Sequence, residues 1–320
     1  SSLLFLDGHS LLRLDVASGR RTRLGEFPAP DVRASPGSSW IAYVVPGQPM
    51  SESHPDFLAD PHLRLFDAGS GDEVALGRGF SPLWHPSGSR VAYLRSSPAR
   101  SCDGEACTGD VAVRMAWPGT GRSEMLLEEG EYGLLGWAGD RLLVADGSDT
   151  ARILSVDPEG DELRLSLAPS QFWGASPDGR WMVRVGADET AFVRLRAGRL
   201  TAETTPIAMG SRLLAAGTWA ADSSRIAAVA LGGRSAPEVV LFSPEAPELR
   251  VLPRSKGVTG APLWSSDGDS LLFPRDSGGR AGTLDARLCD THANPAGDRT
   301  GACPSLLSWR EGVVLLRMGR

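Results

Sequence analysis

The residues able to do chemistry are few and scattered. The five histidines are His9, His54, His62, His85 and His292. His54 and His62 share one segment with Asp56 and Asp60, a donor set of the kind that holds a transition metal, but S-x-H-P-D has no regular helical or strand spacing. His9 lies in the turn-like DGHS and His85 in a turn, so both read as surface turn residues. Cys102 with Cys107 and Cys289 with Cys303 form two local pairs in polar, Gly-rich stretches, each read as a disulfide stapling one loop. A four-thiolate zinc site is the rival reading, and the 13 residues between Cys289 and Cys303 fit it poorly. Asp103, Glu105 and Asp110 could hold Ca²⁺, yet depart from the EF-hand pattern. The carboxylate pairs Glu128 with Glu129 and Asp161 with Glu162 fall in turn-like segments and read as solvated. No G-x-S-x-G elbow, P-loop or dinucleotide fingerprint is present. No catalytic residue, metal or cofactor is therefore expected. Disulfides imply an oxidising compartment, hence an exported protein, periplasmic, cell-surface or secreted. The opening SSLLFLDG carries no legible signal peptide, so export implies one already removed.

Composition narrows the partners. The 320 residues hold 38 Gly and 23 Pro, which implies many turns and few long helices. A net charge of −6 disfavours nucleic acid. The longest apolar runs, such as RIAAVAL at 225–231, are far short of a membrane span. A monomer is expected.

The elements that must position any site come from an internal repeat. A Trp or Ala, a tight turn, then Arg or Trp with β-branched and apolar residues recurs as ASPGSSWIAYV from Ala34, WHPSGSRVAYL from Trp84 and WAGDRLLVA from Trp137. ASPDGRWMVRV from Ala175, WAADSSRIAAV from Trp219 and WSSDGDSLLF from Trp264 continue it. The steps of 50, 53, 38, 44 and 45 residues suit propeller blades. Pro presets φ in the turn, Asp or Ser caps it and Gly supplies the positive φ. A second hairpin follows each, clearest in LRLFDAGSGDEVALG at 63–77 and LLRLDVASGRRTRLG at 11–25. SLLFLDG at 2–8 matches SLLFPRD at 270–276 and reads as a second strand, leaving the first blade without its innermost one. VVLLRMGR at 313–320 can supply it and close the ring, which removes sheet edges. The expected fold is all-β: one domain over residues 1–320, a seven-bladed propeller of four-stranded antiparallel blades. Residues 305–320 also admit a reading as the last hairpin of the final blade, and Trp309 continues the step from Trp264, so six and eight blades stay open.

These repeats resemble the WD40-like, TolB-type propeller family, in which an S-P-D-G turn precedes R-h-A-h. Ser176-Pro177-Asp178-Gly179-Arg180 carries the likeness best, with His85-Pro86-Ser87-Gly88 and Ser266-Asp267-Gly268 as partial copies. The resemblance implies the fold. Its members include periplasmic protein-binding modules, propellers in front of serine peptidases, and sugar-acid lyases, and fold alone does not choose among them.

In a propeller the a–b and c–d turns lie on one face, here the turn face, and the b–c and d–a connections on the other, the loop face. Insertions at 46–62, 96–110 and about 275–304 are all expected after b strands, on the loop face, taking both cysteine pairs with them. Long loops on a rigid scaffold are where binding resides. The d–a positions Asp31, Phe80, Tyr132, Gln171, Phe172, Trp173 and Thr259 are expected around the channel mouth as ligand-binding candidates, with packing between blades as the alternative for Phe80, Phe172 and Trp173. Trp84, Trp137, Trp219 and Trp264 belong to the repeat and read as structural. The expected function is a non-catalytic binding or scaffold module of the cell envelope or extracellular space, engaging a protein or peptide partner through its loop-rich face. The alternatives are a metal-assisted lyase or hydrolase acting on a polysaccharide at the channel mouth, and a purely structural envelope component.

Overall fold

The computed structural model describes residues 2–27, 31–46, 48–51, 54–59, 61–96, 101–103, 106–108, 110–147, 152–186, 189–210, 212–232, 235–265, 267–276, 283–291, 305–310 and 313–319. Seven four-stranded antiparallel sheets form a ring of blades, each with strands a to d from the channel outward. Blade 1 is composite: strand a is Val313–Gly319, and b, c and d are Ser2–Asp7, Ser10–Asp15 and Arg21–Glu26. Leu6 faces Val314 and Ser2 faces Gly319, so the ring closes through the expected C-terminal strand, with a bulge between Leu4 and Phe5. Ser305–Arg310 is strand d of blade 7, which settles the register in favour of seven blades.

The b strands show why the ring holds. Ile41 to Val44, Val91 to Leu94 and Leu271 to Phe273 are continuously buried, because both sides of each sheet are covered by neighbouring blades. Seven apolar clusters fill the interfaces between blades. Val113 and Met115 of blade 3, for example, pack with Leu142 and Val144 of blade 4. Each fully buried side chain of this kind contributes about 1.5–3 kcal/mol.

The repeat tryptophans pin one innermost strand to the preceding one. Trp84 Nε1 donates to the Arg33 carbonyl at 2.8 Å, Trp137 Nε1 to Leu83 at 3.3 Å and Trp264 Nε1 to Thr218 at 3.0 Å. Trp219 packs on Phe192 at 5.9 Å, and its buried Nε1 has no acceptor among the described residues.

Two of the expected insertions follow b strands and carry small hairpins, Gln48–Ser51 with His54–Ala59 in blade 2 and Ser101–Asp103 with Ala106–Thr108 in blade 3. The third does not. Thr283–Asp290 is strand c of blade 7, so the long connection runs from c to d and leaves from the turn face. The reason lies in the TLDARLC alternation, a period-two signal marking a strand inside what reads as a loop. Cys289, near the end of that strand, therefore sits toward the turn face, away from the loop-face hairpin of Cys102 and Cys107. Glu128 and Glu129 also sit in a strand, Arg122–Gly130, rather than a turn.

His85 is not a surface residue: it is 8% exposed and wedged between blades 3 and 4. Its Nε2 donates to the Gly139 carbonyl at 3.1 Å, leaving Nδ1 to accept from the Ser87 backbone N–H at 3.1 Å. The ring meets Trp137 edge-on at 4.8 Å. His85 occupies the turn position held elsewhere by Ser35, Ser176, Ala220 and Ser265, and every copy is buried.

Candidate functional site

Blades 5 and 6 leave a cleft of about 470 Å³ between them on the loop face. Its floor is Trp173, in strand a of blade 5 (Phe172–Ala175). The indole stacks on Phe242 at 6.1 Å and lies against Gly217 of blade 6, where a Cβ would come within 2.0 Å of the ring. Only glycine at 217 lets the indole lie there. One lip is the b–c connection of blade 5, with Val185, Gly186, Glu189 and Thr190. The other is the d–a connection from Ile207 to Leu214. The Ile207 N–H donates to the Thr190 carbonyl at 2.8 Å and ties the two connections together, while Gly210 turns the second lip at φ +59°.

The cleft collects apolar side chains that water does not favour. Leu213 is 71% exposed, Leu231 40% and Val185 37%. Leu213 faces Leu231 directly across strands a and b of blade 6, and Leu213 and Val185 both line the cleft. Of the four exposed large apolar residues among those described, Leu213 and Val185 line the cleft, Leu231 sits across from Leu213, and Met125 lies on the outermost strand of blade 3. Single exposed apolar residues are ordinary, but a cluster rimmed by polar groups marks a contact surface.

A second loop-face depression of about 500 Å³ surrounds Tyr132, where blade 3 meets blade 4. Arg152 Nε pairs with the largely buried Asp146 at 3.1 Å, and Glu131, Glu162 and Arg164 complete the lining. Burial, reinforced by Glu162, Asp146, Asp110 and Glu128, raises the Tyr132 phenol above its ordinary range, so it stays a neutral donor.

The expected mouth residues do not converge on one pocket. Trp173 floors the blade 5–blade 6 cleft and Tyr132 lines the other depression. Phe80 packs into the clusters on both sides of blade 3, and Phe172 into the one between blades 4 and 5. Asp31 is half-buried 3.4 Å from Arg33 Nε, while Gln171 and Thr259 are exposed. Val185, Glu189, Met209, Arg212, Leu213 and Leu231 went unforeseen.

His62 is exposed at the start of a strand, and the side chains of His54, Asp56 and Asp60 lie outside the described residues, as do those of Asp103 and Glu105 and the whole of His292. Among the described residues no three His, Cys, Asp or Glu side chains gather as metal ligands would. Cys102 and Cys107 are directly opposed in their hairpin, and antiparallel partners have a Cα separation a disulfide can bridge. Cys289 is fully buried, and Cys303 lies outside the described residues. No described helix is long and apolar enough to cross a membrane.

No protein-family model matches the sequence, and no curated protein does. Solved structures share the fold. The acylaminoacyl peptidase of Pyrococcus horikoshii aligns at 13% identity and a TM-score of 0.62, over 91% of this chain and 48% of its own. The chain thus spans about half the length of that peptidase. An oligogalacturonate lyase in complex with manganese aligns at 12% identity and a TM-score of 0.61, over 88% and 82%. TolB from Acinetobacter baumannii aligns at 16% identity and a TM-score of 0.48, over 89% and 75%. At such identities the likeness is one of fold.

Proposed function

We propose that this propeller is a non-catalytic binding or scaffold module that engages a protein or peptide partner through its loop face, centred on the cleft between blades 5 and 6. The observation that carries this reading is the exposed Leu213 and Val185 lining the cleft floored by Trp173, with the exposed Leu231 beside Leu213 on the neighbouring strand. Burying them against a partner is favourable by about 25 cal/mol per Å² of apolar surface, before the costs of association. Peptide display selected on the native chain tests it. Enriched peptides are expected to lose binding to Leu213→Asp and keep it on Met125→Asp. Peptides indifferent to Leu213→Asp would overturn the reading.

The same reading places the protein outside the cytoplasm, as a monomer braced by Cys102–Cys107 and Cys289–Cys303 disulfides. The opposed register of the first pair and the absence of a free cysteine among the described residues support it. The intact oxidised mass is expected about 4 Da below that of the reduced chain, two hydrogens for each bond formed. A fully reduced native protein would remove the argument for export.

A further inference from the structure

Arg212 stands on the blade 6 lip of the cleft without a charge partner. It is half-buried, its Cγ lies 3.8 Å from where a Cβ at Gly232 would be, and it forms no ion pair among the described residues. Other partly buried arginines of the ring are committed: Arg141 holds Asp157 at 3.0 Å, Arg152 holds Asp146 and Arg90 holds Asp140. A guanidinium whose stem lies along apolar surface keeps its head and its five donors available. A carboxylate that reaches it beside Leu213 meets less water than on an open surface, so the pair is stronger there. On the blade 5 lip the exposed Glu189 is likewise unpaired among the described residues, and it disfavours a second acid while favouring a base.

We propose that the occupant of the cleft is an extended peptide with an apolar residue seated on Trp173, an Asp or Glu beside it against Arg212, and a Lys or Arg on its other side against Glu189. The inference rests on the loop-face reading above and adds the charge pattern that selects the partner. Arg212, Glu189 and Leu213 are then specificity residues, with Trp173 the common floor.

The test is fluorescence anisotropy of labelled Gly/Ser heptapeptides with Glu-Leu-Lys, Lys-Leu-Glu, Lys-Leu-Lys, Glu-Leu-Glu or Glu-Ser-Lys at the centre. One of the two mixed-charge Leu peptides is expected to bind roughly tenfold more tightly than Lys-Leu-Lys, the scale of one charge-assisted hydrogen bond. Arg212→Glu is expected to shift the preference to Lys-Leu-Lys, and Arg212→Gln to erase it, at unchanged melting temperature. Equal binding of all Leu peptides, abolished by Leu213→Asp, would overturn the charge pattern and leave the loop-face reading standing. Binding that ignores Leu213→Asp, or no binding at all, would overturn both.

Discussion

The turn face and the loop face are ends of the same strands, yet polar bonds lock one while the other leaves apolar side chains in water. At the turn face blades 2 to 7 grip one another in turn. Gly139 N–H donates to the Pro177 carbonyl at 3.1 Å, Asp178 N–H to Ser223 Oγ at 2.9 Å, and Arg225 to the Gly268 carbonyl at 3.1 Å. The Ser-Pro-Asp-Gly turn is itself closed: Ser176 Oγ donates to Asp178 at 2.6 Å and accepts the Trp181 N–H at 2.9 Å. At the loop face between blades 5 and 6, Gly210 has no atom within 4 Å of its would-be Cβ, and Leu213 stands largely in solvent. One end spends its polar groups on the ring, and the other keeps a surface in reserve. The resemblance seen in the repeat is therefore a resemblance of the locked end, which explains why it predicts fold better than function.

That contrast can be broken from the rigid side first. Gly179 has φ +69°, and a Cβ there would lie 2.7 Å from Gly139 N and 2.8 Å from the Ala138 carbonyl carbon. Gly179→Ala is expected to cost about 3 kcal/mol, combining left-handed backbone strain with overpacking, as read from urea unfolding. His85 comes next. Burial, then the charge of Arg90, holds its imidazole below the usual range, so the folded state keeps it neutral. The unfolded chain binds the proton more readily, so the clasp's contribution is complete above about pH 6.5 and declines as pH falls toward the folded value. His85→Gln is expected to cost about 1 kcal/mol at pH 8 through the lost interblade contacts, and to flatten this part of the stability–pH curve. Retention of the same pH slope would place the titration elsewhere. On the loop face, Gly210→Ala at φ +59° is expected to cost about 1 kcal/mol, because left-handed strain acts there without a clash. Leu213→Asp is expected to leave stability within about 0.5 kcal/mol while removing peptide binding. A loss comparable to that of Gly179→Ala would mean that the exposed leucine is holding the ring together.

Legibility in the sequence follows the same division. Turns declare themselves through Pro, Asp and Gly at fixed offsets, and the likeness of SLLFLDG to SLLFPRD is enough to call for a missing inner strand that 313–319 provides. His85 is hard to place from its residue type, because histidine suggests a polar surface, although its position in the repeat is the one that Ser35 and Ser176 fill in full burial. The cleft leaves no such trace. Its parts come from three segments, at 173, 185–190 and 207–214, that meet only when blades 5 and 6 stack. Leu213 heads an apolar strand, LLAAGTW, and nothing in that pattern distinguishes its first residue, facing water, from those inside. Trp173 was visible as an aromatic at a d–a entry, but Gly217, whose missing side chain makes room for it, lies 44 residues later by subtraction of the two positions.

The composite blade has a consequence for how the protein is made. Six blades are contiguous in sequence and can pair as soon as their own residues leave the ribosome. Blade 1 cannot, because Ser2 waits for Gly319 and Asp7 for Val313. At roughly 5–20 residues per second that wait is on the order of tens of seconds. Throughout it the Leu3–Leu6 strand, buried in the finished ring, offers an open edge to any other nascent chain. The Ser2–Asp7 strand is thus expected to need shelter until Val313–Gly319 has been synthesised.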